Sequence, residues 1–238
     1  MTGFLGPNGR VNNSAPPPTG LRVSSSIAGK PRAIAYGKIR LAYTLLWAAN
    51  FQQRGGGGGG KGGGGKGGGG QFYTVDAIQG ICEGPISAVT RIWDESGDQT
   101  APPGDNLIPY RTIYLGTYTQ NPDALVESDL GGAQALAYRG TAYAIGPNMN
   151  IGDSPNLGND TFEVLGAINT TVSAYPDACP SLILEDFLTN PYYSLGFPSA
   201  LIDPSITDAT NAGSMASYCR AAGLLVSTAI TDARAAND

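Results

Sequence analysis

Histidine is absent from this sequence of 238 residues, and charged residues make up only 14% of it. The absence of histidine excludes Ser-His-Asp and Cys-His catalysis and removes the commonest metal ligand. The three cysteines, Cys82, Cys179 and Cys219, are widely spaced and form no CxxC pair. We therefore expect buried free thiols rather than a zinc or iron–sulfur site.

Long apolar runs are also absent. No run approaches the ~20 residues that a membrane-spanning helix needs. The first 20 residues lack the basic start and apolar block of a signal peptide, so we expect a chain made in a cytoplasm or assembled into a particle there. The net charge of −5 argues against a protein that coats nucleic acid. We interpret the basic side chains beside the first predicted strands as facing solvent rather than as a binding patch. They are Lys30, Arg32, Lys38 and Arg40.

No catalytic group is recognisable in the sequence. Asp94 and Glu95 follow Trp93, but adjacent residues of a strand point to opposite faces, so the two carboxylates do not form a facing pair. The loops rich in Asp and Asn lack the acidic ladder of an EF-hand, and there is no G-x-S-x-G elbow. The sequence therefore predicts a protein that is not an enzyme and that has no cofactor.

Short segments rich in β-favouring residues follow each other between Gly and Pro turns. The segment AIAYGKIRLAYTLLWAANFQ is broken at Gly37, and a later pair of strands turns at Gly84-Pro85. YRTIYLGTY, LAYRGTAYAIG and TFEVLGAI predict further strands at comparable spacing. The pattern predicts an α+β fold that is mainly antiparallel β, with a barrel-like β domain and a smaller C-terminal part that contains helices.

Two helices are predicted in the last third of the chain. DACPSLILEDFLTN has Pro180 at a first helical position and apolar residues at helical spacing, and DATNAGSMASYCRAAGLL closes near Gly223. The predicted organisation is an extended arm over residues 1–30, a β-rich domain over 31–170, and an α/β part over 171–238 that continues into further domains.

A glycine run, RGGGGGGKGGGGKGGGG, occupies residues 54–70 between two predicted strands. Its G-x-x-x-x-G-K matches lack the Ser or Thr that would hold Mg²⁺, and no helix former follows. We therefore interpret the run as a long hairpin loop held by neighbours in an assembly, not as a phosphate loop. The candidate interaction residues are those of the loop and two tryptophans: Gly55, Gly60, Lys61, Lys66, Gly70, Trp47 and Trp93.

An ordered set of segments over residues 31–238 resembles the central hub, or tip attachment, proteins of long-tailed phages and of gene transfer particles. KPRAIAYGKIRLAYTLLWAANFQ is similar to the opening strand pair of that family, and the glycine run follows in the family's usual place. The Cys-Glu-Gly-Pro-Ile element and the Trp-Asp in YTVDAIQGICEGPISAVTRIWDESGD resemble the core hairpin. YLGTYTQNPDALVES, LILEDFLTNPYYSLGFPSALID and SYCRAAGLLVSTAITDARAAND continue the resemblance.

The resemblance implies a homotrimer at the distal end of the tail of a virion, assembled in the cytoplasm of the bacterial host. The implied partners are like subunits, the ring of distal tail protein, other tail-tip proteins and the end of the tape-measure protein. Phage DNA would pass through the lumen only transiently, and the host surface would be met indirectly. Two alternatives stay open, namely a host-surface module that binds a glycan or receptor, and a cell-wall hydrolase.

Overall fold

The structure is a computed structural model that describes residues 31–55, 71–94, 106–166, 177–208 and 210–231. The predicted arm over residues 1–30 and most of the glycine run lie outside these ranges. The strands are β1 (Ile34–Tyr36), β2 (Lys38–Ala42), β3 (Thr44–Arg54), β4 (Phe72–Glu83), β5 (Ala88–Trp93), β6 (Thr112–Leu115), β7 (Thr141–Asn150), β8 (Thr161–Leu165) and β9 (Thr228–Ile230). The α-helices are α1 (Ala124–Leu130), α2 (Pro180–Thr189), α3 (Pro204–Thr207) and α4 (Met215–Ala221), with single 3₁₀ turns at Ile108–Tyr110 and Ser199–Leu201.

The strands form three antiparallel sheets. Four strands pair in the order β3-β4-β7-β6, three in the order β2-β8-β5, and β1 pairs with β9. Strand β4 is central, and its residues Tyr73 to Cys82 are all buried because the sheet is covered on both faces. The polar residues Thr74, Asp76 and Gln79 of β4 are therefore buried together with its apolar residues. No closed barrel is formed by the strands in the described ranges.

The main core lies between the four-stranded and the three-stranded sheets. Leu41, Ile92, Phe162 and Val164 of the smaller sheet pack there with residues of β4 and β7, among them Ile81, Cys82, Ala142 and Ala144. On the other face of the larger sheet, Val126 of α1 packs against Ile78, Tyr143 and Ile145. The β part is therefore a layered structure of helix, sheet and sheet.

A buried polar group joins the two larger sheets inside this core. The side-chain amide of Gln79 in β4 donates to Oδ2 of Asp160 over 2.7 Å. Asp160 directly precedes β8, and the Arg111 guanidinium, which directly precedes β6, lies 3.9 Å from the same carboxylate oxygen. The Arg111 and Asp160 side chains are only 0% and 2% exposed, so the two charges are withdrawn from water and stabilise each other.

The C-terminal segment, residues 177–208 and 210–231, packs on the β part through the β1–β9 pair, and a bridge between Ala178 and Val226 joins two parts of the segment itself. Helix α2 begins at Pro180, as the sequence predicts, because proline favours the first helical position. Helix α4 is shorter than predicted. It begins after Ser214, whose side chain accepts from the Ser217 N–H, because the Asn211–Gly213 turn precedes this cap.

Most sequence predictions about the fold are confirmed. The fold is α+β and mainly antiparallel β, with helices in the C-terminal segment. Gly37 makes the turn between β1 and β2 with a φ of +70°, and Gly84-Pro85 separates β4 from β5. The three cysteines are free and buried, as expected. The domain boundary between residues 170 and 171 stays a prediction.

Candidate interaction surfaces

The glycine run connects two strands that pair up to the point where the run begins. Strands β3 and β4 are antiparallel neighbours, and their last described partners are Arg54 and Phe72. Just inside this end, the Phe51 and Tyr73 rings stack with centroids 5.4 Å apart. Gly55 opens the run with a φ of +76°, a conformation that favours glycine. The hairpin prediction is confirmed, whereas Gly60, Lys61, Lys66 and Gly70 lie outside the described residues.

A carboxylate fixes the backbone beneath this hairpin. Asp76 of β4 is buried, and its two oxygens accept from the Asn50 side-chain amide and from the Asn148 N–H. Both asparagines have a positive φ, 54° for Asn50 and 46° for Asn148, at irregular points of β3 and β7. Asparagine tolerates this conformation better than most residues. The carboxylate therefore holds two bulges near the end of the described hairpin.

The two predicted tryptophans lie on different sheets and are not brought together. Trp47 of β3 pairs with Ile78 and packs at the edge of the cluster that α1 covers, where it is half-buried. Its position is that of a residue that contributes to the core. Trp93 ends β5, and the guanidinium carbon of Arg40 lies 4.2 Å from the centroid of its ring. Arg91 approaches the same ring at 5.3 Å.

The outer face of the three-stranded sheet carries three basic side chains. Arg40 and Arg91 both pair with Glu163 in the sheet register, so the three side chains form a row across β2, β8 and β5. Lys38, Arg40 and Arg91 are exposed on this face, and Glu163 is its acidic member. We define the basic face by these five residues: Lys38, Arg40, Arg91, Trp93 and Glu163.

Glu163 is held in its charged form on the basic face. The Thr90 hydroxyl donates to Oε1 of Glu163 over 2.6 Å, and the Lys38 ammonium lies 2.9 Å from the same oxygen. These contacts lower the pKa of Glu163, the Thr90 hydrogen bond having the largest effect. Glu163 therefore stays a carboxylate at neutral pH beside the basic side chains of this face.

A cluster of tyrosines attaches the C-terminal segment to the β part. The Tyr36 hydroxyl of β1 and the Tyr193 hydroxyl after α2 donate to the same oxygen of Asp186, over 2.8 Å and 2.7 Å. Burial and the adjacent Asp186 carboxylate raise the pKa of both phenols, so each stays a donor at neutral pH. Beside them, Tyr192 stacks on Tyr118 with ring centroids 3.8 Å apart.

Replacing Asp186 by alanine is expected to loosen this attachment. Two phenols would lose a charged acceptor, and hydrogen bonds to charged groups contribute about 1.5–3 kcal/mol each. We expect the free energy of unfolding to fall by about 3–6 kcal/mol in urea titrations. The adjacent substitution Glu185→Ala is the control, and equal losses in both variants would contradict the assigned role of Asp186.

An open cavity of about 430 Å³ lies next to the tyrosine cluster. Arg32 and Arg139 line it together with Glu83, Tyr118 and Tyr192. Much of its charge is already compensated, because the Arg32 guanidinium lies 2.6 Å from Glu83. The Arg139 Nε donates to the Gln120 carbonyl oxygen over 3.2 Å. We therefore interpret the cavity as a crevice at the junction of the two parts.

Most of the large apolar side chains that are exposed in the described ranges lie in the C-terminal segment. Leu201 is 73% exposed, Tyr192 67%, Tyr218 65% and Leu195 60%. Such a concentration on one segment is typical of an interaction site, because scattered single residues are the rule elsewhere on soluble proteins. We define the apolar surface by these residues: Leu184, Phe187, Tyr192, Leu195, Phe197, Leu201, Met215, Tyr218, Leu224 and Val226.

Charge is scarce around the apolar surface, and it is mostly negative. Residues 177–231 contain five acidic residues and one basic residue, Arg220. Asp203 is exposed beside Leu201, and Glu185 lies between the exposed Leu184 and Phe187 of α2. Hydrogen bonds from the Ser205 backbone and side chain lower the pKa of Asp203, so its charge persists into mildly acidic solution.

The sequence analysis missed both the tyrosine cluster and the apolar surface. The segment NPYYSLGFPSALID gives a signal in retrospect, because aromatic and aliphatic residues are interrupted there by Pro, Gly and Ser and follow no helical or strand period. Such a segment is either buried by the rest of the chain or exposed for a partner. In the described structure, Tyr192, Leu195, Phe197 and Leu201 of this segment are exposed.

Within the described ranges, no group of three or more His, Cys, Asp or Glu residues is placed to hold a metal ion. None of the helices described there is long and apolar enough to cross a membrane. The geometry instead presents two surfaces of different chemistry, one basic and aromatic and the other apolar and weakly acidic.

The chain matches no family model and no curated protein. Among solved structures, it is similar to a chain of a "Virion of native gene transfer agent (GTA) particle", with 23% identity and a TM-score of 0.48. The similarity covers 90% of this chain and 47% of that chain, so this chain spans about half the length of the protein it matches. A similarity at this level does not assign the chain to a family.

Proposed function

We propose that the protein is a non-enzymatic structural subunit of a phage-type tail tip. As a central hub it would cap the tail tube, join the distal tail ring to tip or fibre proteins, and gate the release of DNA. The observation that carries the proposal is the apolar surface, since a chain that displays so many large apolar side chains is built to be covered by other proteins. The ordered segments that resemble hub proteins indicate that the assembly is a tail tip.

The parts of the structure that can be assigned a role are consistent with an adaptor. The hairpin β3–β4 is fixed at its base by Asp76, and the segments that resemble hub proteins form its two strands. The described surfaces are suited to protein contacts, because one is apolar and the other carries Arg and Trp, residue types that are enriched in interfaces. The proposed partners are like subunits in a trimer, the distal tail ring, other tip proteins and the end of the tape-measure protein.

Labelling of intact particles tests the proposal. Immunogold with an antibody against residues 31–238 is expected at the far end of the tail, either on intact particles or after mild disruption if the subunit is buried there. An antibody against the major tail-tube protein is the control for access. Label along the whole tube, or none in either state, would contradict the assignment to the tip.

The glycine run is expected to act in assembly and not in folding. Replacing residues 56–70 by Asn-Gly would keep β3 and β4 joined by a short hairpin turn. We expect the purified variant to unfold with an unchanged or slightly higher free energy, because a shorter loop costs less entropy to close. We expect particles that carry this variant to lack complete tips in electron micrographs.

A matched variant separates the loop's length from its lysines. Lys61→Gly with Lys66→Gly keeps the length of the run and removes its two charges. If the lysines contact a neighbour, this variant also reduces the yield of particles, and if only the reach of the loop matters, it does not. Normal particles from the shortened variant would show that the run has no part in assembly.

The alternative function is binding of a host glycan or receptor. A sugar would stack on an exposed aromatic face, and the Tyr218 ring is such a face, whereas the Arg40 guanidinium lies over the ring of Trp93. Glycan-array binding by the purified chain tests this alternative. Binding that is lost in Tyr218→Ala and kept in Trp93→Ala would favour it over a purely structural role.

A further inference from the structure

We propose that Cys179 and Cys219 form a disulfide bond when the chain meets an oxidising medium, and that this bond ties helix α2 to helix α4. Both thiols are free and buried, so the structure shows the reduced form. The bond lies within one chain and needs no partner protein. Whether it forms does not depend on the proposed function, and only its timing in the life of a particle does.

The fold brings these two cysteines together from distant points of the sequence. Cys179 directly precedes α2, Cys219 lies in α4, and the two helices pack against each other. The Leu224 N–H donates to the Cys219 carbonyl oxygen over 2.8 Å. Two residues further on, Val226 forms a bridge with Ala178, the residue before Cys179. The short loop after α4 therefore holds the backbones of both cysteines.

The two side chains contact each other in the interior of the C-terminal segment. Cys179 is 0% exposed and Cys219 3%, and the Cys219 thiol makes a hydrogen-bond contact with the Cys179 side chain. Because a cysteine side chain is short, thiols in contact belong to backbones close to the separation that a disulfide needs. The Ser181 hydroxyl lies 3.1 Å from the Cys179 sulfur, and it keeps this neighbour after oxidation because the sulfur is still a weak acceptor.

The third cysteine stands apart from this pair. Cys82 lies in β4 and belongs to the main core, where it pairs with Ala142 of β7. Neither Cys179 nor Cys219 belongs to that core cluster. Of the possible pairings among the three cysteines, the structure therefore favours one, and Cys82 serves as an internal reference for a thiol that stays reduced.

The bond would constrain the segment that carries most of the apolar surface. It closes a loop over residues 179–219, which contains every member of that surface except Leu224 and Val226. A disulfide that closes a long loop stabilises a fold mainly by restricting the unfolded chain. A surface held in this way also loses less conformational freedom when a partner covers it.

The reaction is thiol–disulfide exchange with a small disulfide such as oxidised glutathione. One cysteine thiolate attacks a glutathione sulfur, forms a mixed disulfide and releases one glutathione thiolate. The thiolate of the other cysteine then attacks the protein sulfur of the mixed disulfide, forms the Cys179–Cys219 bond and releases the second glutathione. Two protein thiols are oxidised, one glutathione disulfide is reduced, and the two protons end on the glutathione sulfurs.

The reduced and the oxidised form belong to different compartments. A cytoplasm keeps thiols reduced, whereas the medium outside a cell permits disulfides. Under the proposed function, the subunit would assemble with free thiols and gain the bond after the particle is released. Burial raises the pKa of the Cys219 thiol, and the adjacent Cys179 adds to the rise. Because the thiolate is the reactive form, oxidation of the folded chain is slow at neutral pH, and refolding makes both thiols accessible.

Refolding in a glutathione buffer is the test. The reduced full chain is unfolded in urea and diluted into reduced and oxidised glutathione, and its free thiols are then trapped with N-ethylmaleimide. Cleavage after Glu185 separates the two cysteines, so mass spectrometry without reduction shows whether their peptides are linked. We expect linked peptides from Cys179 and Cys219 and an alkylated Cys82. The oxidised chain should melt about 5–15 °C higher than the reduced chain.

Variants that lack one sulfur are the controls. Cys179→Ala and Cys219→Ala should each melt at the same temperature under oxidising and reducing conditions. Cys82→Ala should keep both the linked peptides and the difference in melting temperature. If Cys82→Ala does not fold, the alkylation of Cys82 in the unmodified chain still shows that this thiol takes no part.

The other outcomes overturn the proposed bond in distinguishable ways. Three alkylated cysteines in the refolded chain would show that the pair stays reduced in an oxidising medium. Glutathione adducts without linked peptides would show that the two sulfurs do not reach each other. A bond that includes Cys82, or one that joins two chains on a non-reducing gel, would mean that the pairing is wrong. None of these results changes the immunogold labelling, so the tail-tip function and the disulfide stand or fall separately.

Discussion

Replacing Asp160 by alanine is expected to lower the free energy of unfolding by about 3–5 kcal/mol, a typical cost of removing one partner of a buried ion pair. The Asp160 carboxylate lies 3.9 Å from the Arg111 guanidinium, and neither side chain is more than 2% exposed. The variant would leave the buried guanidinium without this compensating charge and the Gln79 amide without its acceptor. Urea unfolding at neutral pH measures the loss.

A surface pair provides the comparison. Glu163 and the Lys38 ammonium are 2.9 Å apart, but their side chains are 22% and 41% exposed. Because solvent screens such a pair, Glu163→Gln should cost less than about 1 kcal/mol. Equal losses at the two sites would contradict the assignment of Asp160 as the carboxylate that joins the two larger sheets.

Stability is expected to fall steeply above pH 10, by about 3 kcal/mol between pH 10 and 11. Burial raises the pKa of the Cys82 thiol to about 12, and it raises the pKa of the Tyr36 and Tyr143 phenols still further. All three side chains are 0% exposed. In the unfolded chain these groups release their protons near pH 9 to 10, whereas in the fold they must keep them.

The sign follows from the direction of the shifts. A pKa that folding raises leaves stability complete below the unfolded pKa, and stability is lost as the pH rises toward the folded value. Each group contributes up to about 1.4 kcal/mol per pH unit in that range. Urea unfolding from pH 8 to 11 measures the slope, and the absorbance of tyrosinate near 295 nm in the folded protein shows which phenols resist ionisation.

One variant separates the ionisation of a buried phenol from a general loss of stability at alkaline pH. The Tyr143 hydroxyl has no hydrogen-bond partner among the described residues. Tyr143→Phe should therefore change stability at pH 7 by less than about 1 kcal/mol. Above pH 10 it should reduce the loss by about 1 kcal/mol per pH unit. An unchanged alkaline slope in Tyr143→Phe would show that this phenol ionises freely in the fold.

Local features of the sequence predicted most elements of the fold, because their causes are local. Gly37, Gly84-Pro85 and Pro180 act through their own backbone preferences, and each is found at the predicted turn or helix start. The hairpin around the glycine run could be predicted because its two strands adjoin the loop. Helix α4 was predicted too long, because helical composition upstream of Ser214 did not reveal the turn and cap that delay its start.

Long-range pairing could not be predicted in the same way. Strand β9 has only three residues, and its partner β1 lies at the other end of the described chain. The partners Arg111 and Asp160 are likewise brought together only when the two sheets pack.

The apolar surface poses a different problem, since apolar residues in a sequence do not reveal whether the same chain covers them. The sequence indicated Trp93 as an interaction residue. The contacts of its ring with Arg40 and Arg91 could not be predicted, because they depend on the sheet register and on a bulge in β5.

The pairing of β1 with β9 also places the two ends of the described chain side by side. Ile34 and Ile230 are direct partners, and such partners in antiparallel strands have Cα atoms about 5 Å apart. A link of a few residues could join these ends, and a new opening in the glycine run would then leave every sheet intact, which makes the chain a natural template for circular permutation. By the same geometry, the first residue of β1 and the last residue of β9 lie at one shared edge of the sheet pair.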